Sequence, residues 1–196
     1  MLTQAERQTL RKKLTAYEGN IGHMYLDTAG YVTVGVGHMM ADVSAAQKLP
    51  FLDAKGKHAS AADIKVDYDA VKKQAPGRLA VFYKRFTKLH LAQAEIDRLT
   101  NQHIDSFYKE LKIIYKDFDK FPSEAKLALM DMIFNLGMTN LKNRWPKFNK
   151  AVQAKDWAAA AKESNRKAPI SAARNQYVRD LFNQAAAAPA PAKANP

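Results

Sequence analysis

The stretch Tyr17-Glu-Gly-Asn-Ile-Gly-His-Met-Tyr-Leu-Asp-Thr-Ala-Gly-Tyr-Val-Thr-Val-Gly-Val-Gly-His38 marks a change of hydrophobic period, and that change decides the fold. Upstream of it, Leu10, Leu14 and Tyr17 recur at helical spacing, and Thr3 with Glu6 has the form of a capping box. Gly19 is a stop signal, so the pattern predicts a helix over 3–18 that ends beside Glu18. From Met24 to Val36 the period becomes two. Val32, Val34 and Val36 are assigned to a buried face, with Tyr31, Thr33 and Gly35 on the other. Asp27-Thr28-Ala29-Gly30 has the residue preferences of a type I turn, so a small antiparallel hairpin follows the helix.

Downstream, residues 39–90 are Ala- and Lys-rich, with a helix expected near Ala61–Gln74 and a break at Pro76-Gly77. From Ala92 the helical period returns. Ile96, Leu99, His103, Phe107, Leu111, Ile114 and Phe118 would line one face of a helix roughly 37 Å long, which is expected to join two lobes. Ser123 is placed as the cap of a helix over Glu124–Leu136 that Gly137 ends, and its apolar residues surround it almost completely. Shorter helices are expected at Phe148–Ala154, Trp157–Ser164 and Ser171–Ala186. The reading is a single mainly α (α+β) domain over 1–187. It comprises a small β-hairpin lobe at 19–90 carrying an insertion, a connecting helix at 91–120, and a helical lobe at 121–187 with helix 3–18 packed nearby. An active-site cleft is expected between the lobes, and 188–196, rich in Pro and Ala, is expected to be a disordered tail.

The 196 residues carry 31 Lys+Arg against 19 Asp+Glu, a formal net charge of +12. That balance favours an anionic partner, although basic residues in short, scattered groups also serve solubility alone. With 47% hydrophobic and 26% charged residues the chain belongs with ordered globular domains. It has no cysteine, which excludes a disulfide scaffold, a thiol nucleophile and a thiolate metal site. Its five histidines show no metal-ligand spacing, so no metal and no cofactor is expected. No apolar run is long enough to span a bilayer, and the charged N-terminus does not read as a secretory signal.

Two acids and a hydroxyl within 16 residues, Glu18, Asp27 and Thr33, match what cleavage of a glycosidic bond requires. One carboxylic acid protonates the leaving oxygen, and a second carboxylate attacks or holds a water. The partial negative charge at a helix C-terminus favours a protonated Glu18, whereas a hairpin turn open to water and backbone donors favours an ionised Asp27. Taken alone, each residue reads more readily as structural, Glu18 as an exposed last-turn glutamate and Asp27 as a turn former.

The joint pattern, helix–Glu–Gly and then Asp–x–x–Gly–Tyr–x–Thr–x–Gly–x–Gly–His, resembles the phage-type lysozymes of glycoside hydrolase family 24. Met130-Asp-Met-Ile-Phe-Asn-Leu-Gly137 resembles that family's central helix, and Arg174 stands eight residues before Phe182 as in its last helix. The likeness is weakest between Met40 and His90. It implies a muramidase that hydrolyses the β-1,4 bond between N-acetylmuramic acid and N-acetylglucosamine in peptidoglycan, with inversion. Glu18 would be the proton donor, Asp27 the carboxylate that orients water, and Thr33 a second holder of it. Gly37, Met39, Phe134, Asn135 and Arg174 would bind substrate, Arg174 also as the cation facing Glu18 across the cleft. Gly35 and Gly37 fit a polymer passing close to the backbone. Phe134, on a largely apolar helix, reads more readily as core than as contact.

One departure stands out. The family pairs the counterpart of His38 with an aspartate on the long helix, a position that falls here on His103, or on Asp105 if the alignment slips; both histidines are left out of the catalytic set. The alternatives are a lytic transglycosylase, which would need no water-activating Asp27, and a non-catalytic wall- or nucleic-acid-binding module. The expected partner is peptidoglycan, with an immunity or inhibitor protein allowed by the toxin members of the family. No nucleic acid, no membrane insertion and a monomer are expected. A protein made in the cytoplasm without a signal peptide would reach the wall by holin release or through a secretion system.

Overall fold

A computed structural model describes residues 1–188; beyond Ala188 the expected tail lies outside the described residues. The chain runs α1 (Gln4–Glu18), β1 (Ile21–Leu26), β2 (Val32–Gly35), β3 (His38–Met40), α2 (Val43–Gln47), α3 (Ala61–Lys72), α4 (Ala80–Tyr83), α5 (Gln93–Ile114), α6 (Ser123–Arg144), α7 (Pro146–Gln153), α8 (Trp157–Glu163) and α9 (Ala172–Ala187). This is the mainly α (α+β) class expected. Among the described residues, 11–103 form one compact unit, and 1–10 with 104–188 form the other. The boundaries fall inside α1 and α5.

In the unit of residues 11–103, the sheet is an antiparallel meander in the order β1-β2-β3, one strand more than the hairpin expected. Val32, Val34 and Val36 are buried as their alternation requires, but so are Thr33 and Gly35. At Gly35 the correction has a tertiary cause, because Ile96 of α5 packs there and covers a face that no local pattern announces; Thr33 lies between Tyr25 and Met39 of the neighbouring strands. Arg11 pairs with Asp97 at 2.5 Å, and the Leu91 N–H donates to the Gly22 carbonyl at 2.8 Å, so α5 and its approach are tied to α1 and β1. The insertion is ordered by its own polar anchors. Ser60 and Asp63 cap α3 reciprocally, Leu52 and His90 exchange backbone hydrogen bonds of 2.8 and 2.9 Å, and buried Phe51 roots the loop.

In the other unit, Thr3 and Glu6 form the expected capping box: the Thr3 N–H donates to Glu6 Oε2 at 2.6 Å and the Glu6 N–H to Thr3 Oγ1 at 3.2 Å. Ser123 does not cap α6 as expected. It is the first helical residue, and its hydroxyl donates to Glu6 Oε1 at 2.6 Å. Gly137, at φ 70° and ψ 160°, breaks α6 where a stop was expected, although helical turns resume to Arg144. The second half of α5 buries Leu111 as expected, but Ile104 and Tyr108 are buried where His103 and Phe107 were expected, and those two are half-buried. Phe118, Phe121, Phe148, Trp157 and Phe182 form a core of mostly edge-to-face rings with centroids 5.0–6.3 Å apart. Beneath it the Tyr115 hydroxyl donates to Asn149 Oδ1 at 2.5 Å, and the Asn149 amide donates to the Leu141 and Lys142 carbonyls.

Candidate active site

Glu18 is the last residue of α1 and half-buried; Gly19 follows with φ 82°, a left-handed conformation that ends the helix there. Nine residues on, Asp27 closes the β1–β2 turn. Its carbonyl accepts from the Gly30 N–H at 3.0 Å, and its Oδ1 accepts from the N–H groups of Ala29 at 2.9 Å and Tyr31 at 2.8 Å. Asp27 is thus a turn former, as its singular reading held. Both of those bonds fall on Oδ1, and the side chain is held in a fixed rotamer by the backbone it turns.

Thr33 sits in the middle of β2, only 2% exposed, with its hydroxyl donating to the Tyr31 carbonyl at 3.1 Å. Because that donor is engaged, Oγ1 offers lone pairs to any further partner. Thr33 lies opposite Tyr25 on β1 and Met39 on β3, so the three side chains share one face of the sheet. Tyr25 is a residue that the sequence reading missed. Burial pushes its hydroxyl up to about 12, the charges of Glu18 and Asp27 push in the same direction, and a bond to the Gly37 backbone opposes them. The hydroxyl therefore stays protonated in the field of both acids. An aromatic residue at a strand position gives no local signal of such a role.

Of the expected substrate contacts, Met39 is 48% exposed and Gly37 is exposed at φ 74°, with nothing within 4 Å of where a Cβ would stand. Gly37 therefore keeps open space above a backbone that other residues would strain to adopt. Gly35 does not share that role: it is buried, and a Cβ there would meet Ile96 Cγ2 at 3.2 Å. The close approach that it permits is that of α5, not of a polymer.

His38 and His103 meet. Nδ1 of the first lies 3.0 Å from Nε2 of the second, with ring centroids 5.2 Å apart. The direct register is therefore right, and Asp105 is engaged instead with Arg7. Burial holds both histidines below the ordinary imidazole range; for His38 the charges of His103 and Arg98 add to burial, while Glu95 opposes them.

Phe134, Asn135 and Arg174 belong to the other unit. Phe134 is half-buried rather than core, with its ring edge-on to Phe107 at 4.9 Å; Asn135 is also half-buried. Arg174 is 4% exposed, and its Nε donates to both carboxylate oxygens of Asp131 at 3.1 Å. Arg166, absent from the sequence reading, donates to the same Asp131 at 2.7 Å and to Asn175 Oδ1 at 3.1 Å. Two guanidinium groups thus share one buried carboxylate. Among the described residues, no group of His, Asp and Glu is arranged to hold a metal ion.

Residues 15–158 match the family described as "Pesticin: Bacterial toxin homologue of phage lysozyme, C-term", a span that includes Glu18, Asp27, Thr33, Gly37, Met39, Phe134 and Asn135 but not Arg174. "Probable T4-type lysozyme 1" of Dictyostelium discoideum is 28% identical over 156 residues, covering 79% of this chain and 81% of that protein. "Probable T4-type lysozyme 2" of the same organism is 26% identical over 156 residues, with the same coverage.

Proposed function

This chain belongs to the pesticin family of bacterial toxin homologues of phage lysozyme, a lysozyme-type hydrolase, and from that premise we propose that it is a muramidase. Its substrate on this reading is peptidoglycan, cut at the β-1,4 bond between N-acetylmuramic acid and N-acetylglucosamine. The observation that carries the reading is the run from Glu18 at the end of α1, through Asp27 in the turn, to Thr33 on β2, all within one compact unit and within the matched span.

Glu18 protonates the glycosidic oxygen as the bond breaks, and the positive charge that develops on the sugar is quenched by water. Asp27 and Thr33 hold that water. With its own proton committed to Tyr31, Thr33 Oγ1 accepts one hydrogen of the water; the Asp27 carboxylate accepts the other and takes it as the attack proceeds. A water bound through both hydrogens presents an oxygen lone pair to the anomeric carbon. Tyr25 keeps a neutral hydroxyl in the field of both acids and so adds no further anion to the site. Met39 and Gly37, exposed on the unit that bears the acids, are assigned to glycan binding, and Phe134 and Asn135 keep the role that the family resemblance implies for them; Arg174, buried against Asp131, is not counted among the contacts, and the net charge of +12 suits an anionic wall. For its route to the wall, which lies outside the cytoplasm, we propose release by a holin or delivery by a secretion system.

The test is the anomeric form of the first product, followed by NMR during digestion of a soluble peptidoglycan fragment. The α-anomer is expected, since water attacks from the face opposite the leaving group. An initial β-anomer would make Asp27 a nucleophile, and anhydromuramic ends would make the protein a transglycosylase.

A further inference from the structure

Between Asp69 and Glu95 the chain carries six Lys and Arg residues and no acid. The middle of this run folds as α4 followed by a short 3-10 turn over Lys84–Phe86. Its backbone is firmly rooted. Tyr83 is fully buried and its hydroxyl donates to the Ala75 carbonyl at 2.8 Å, and His23 Nε2 lies 2.9 Å from the Ala80 carbonyl. Buried Asp67 accepts from the Lys88 and Leu89 N–H groups at 2.7 and 2.8 Å. From this fixed base Leu79 and Val81 project with 80% and 68% of their surface in water.

Cations flank those two side chains along the chain. The Arg85 guanidinium lies 4.9 Å from the Phe82 ring centre, and Arg78 lies 5.8 Å from the same ring, so both are seated on an aromatic platform beside Leu79 and Val81. Lys84 and Lys88 are exposed on the same segment. A single exposed leucine is ordinary on a protein surface. Two exposed aliphatic side chains two residues apart on a rooted backbone, with four cations in the segment 78–88, make a different surface.

We propose that this segment is a peripheral docking element for an anionic lipid bilayer: Leu79 and Val81 enter the boundary between headgroups and acyl chains, and Arg78, Lys84, Arg85 and Lys88 bind headgroup phosphates. Charge complementarity alone would suit any polyanion, including a dissolved one. A dissolved polyanion gives the aliphatic pair no environment better than water, whereas a bilayer interface takes both the apolar tip and the basic rim. The mode is adsorption, consistent with the absence of any helix among the described residues that is long and apolar enough to cross a membrane. The inference does not rest on the muramidase reading. It adds that the unit bearing Glu18 and Asp27 sits at a membrane face, with Pro76 against Gly30 of the β1–β2 turn and Lys72 Nζ donating to the Gly30 carbonyl at 2.8 Å.

The chain has no cysteine, so Leu79→Cys provides a single labelling site for an environment-sensitive fluorophore. The full-length labelled protein is mixed with phosphatidylcholine vesicles, with phosphatidylcholine/phosphatidylglycerol vesicles, and with soluble poly-glutamate. A blue shift is expected with the anionic vesicles alone, with none at a control label on exposed Gln102→Cys. In co-sedimentation, unlabelled Leu79→Ser/Val81→Ser should bind the anionic vesicles about tenfold more weakly than wild type, with an unchanged melting temperature. Arg78→Gln/Lys84→Gln should weaken binding and flatten its salt dependence. A label that stays in water on anionic vesicles, or a serine double variant that binds as wild type does, would overturn the proposal; the second result would reduce the segment to a general polyanion contact.

Discussion

The geometry of the His38–His103 pair predicts that the stability of this protein falls on mild acidification. At 3.0 Å between Nδ1 and Nε2, one ring must donate and the other accept, so at most one of the two is comfortably charged. A second proton would place two positive charges 5.2 Å apart, a repulsion of about 3 kcal/mol at an effective dielectric constant of about 20. Both groups are held below their unfolded value by burial. Their contribution is therefore present above the unfolded pKa of about 6.5 and is lost as pH falls from there toward the folded values. A histidine that stayed neutral across the whole window would contribute at most about 1 kcal/mol between pH 6.5 and 5.5, so the loss from the pair is bounded at about 2 kcal/mol. Urea unfolding followed by far-UV circular dichroism at both pH values measures the loss. His103→Gln should roughly halve it. His103→Asp should reverse it, because a carboxylate raises the folded pKa of His38, and the resulting stabilisation is complete at low pH and fades as pH rises. A wild-type stability that is flat or increases on acidification, or a slope indifferent to His103→Gln, would refute the reasoning.

Asp131→Asn removes the charge shared by buried Arg166 and Arg174 and should cost about 3–5 kcal/mol, seen as a large drop in melting temperature. Gly35→Ala combines a left-handed φ of 68° with a 3.2 Å approach to Ile96 and should destabilise by about 2–3 kcal/mol. Gly37→Ala, with a similar φ but open space, should cost only about 1 kcal/mol in the same thermal assay. Thr33→Ala should slow the clearing of a wall suspension by roughly tenfold, less than Asp27→Ala, while Thr33→Ser retains the hydroxyl and most of the rate.

Local patterns carried much of this fold. The Thr3–Glu6 box, the glycine after Glu18, the Asp27–Gly30 turn and the alternating valines are each specified by neighbours within four residues, and each takes the expected form. What the pattern missed is tertiary. Thr33 and Gly35 were assigned to an open face because the alternation of β2 says nothing of Tyr25 and Met39 beside Thr33, or of Ile96, which arrives at Gly35 from 61 residues away. The third strand, His38–Met40, is too short to show a period. Asp131, Arg166 and Arg174 meet across separations of 35 and 43 residues, and an isolated arginine on a helix gives no sign of which carboxylate it will find. The same limit hid Tyr25, which reads as an ordinary strand aromatic until its partners on β2 and β3 are known. The resemblance to phage-type lysozymes placed His103 opposite His38, where the structure has it, even though a second histidine is a poor chemical substitute for an acid.

The most direct test of the central claim is digestion of purified peptidoglycan by wild type and by Glu18→Gln, with the new ends identified by mass spectrometry. The substitution keeps the shape of the side chain and removes its transferable proton. Wild type is expected to release fragments with reducing N-acetylmuramic acid ends, and a Glu18→Gln protein with unchanged circular dichroism and melting temperature is expected to release none. Reducing ends formed at the wild-type rate by the folded variant would contradict the assignment of Glu18 as the acid.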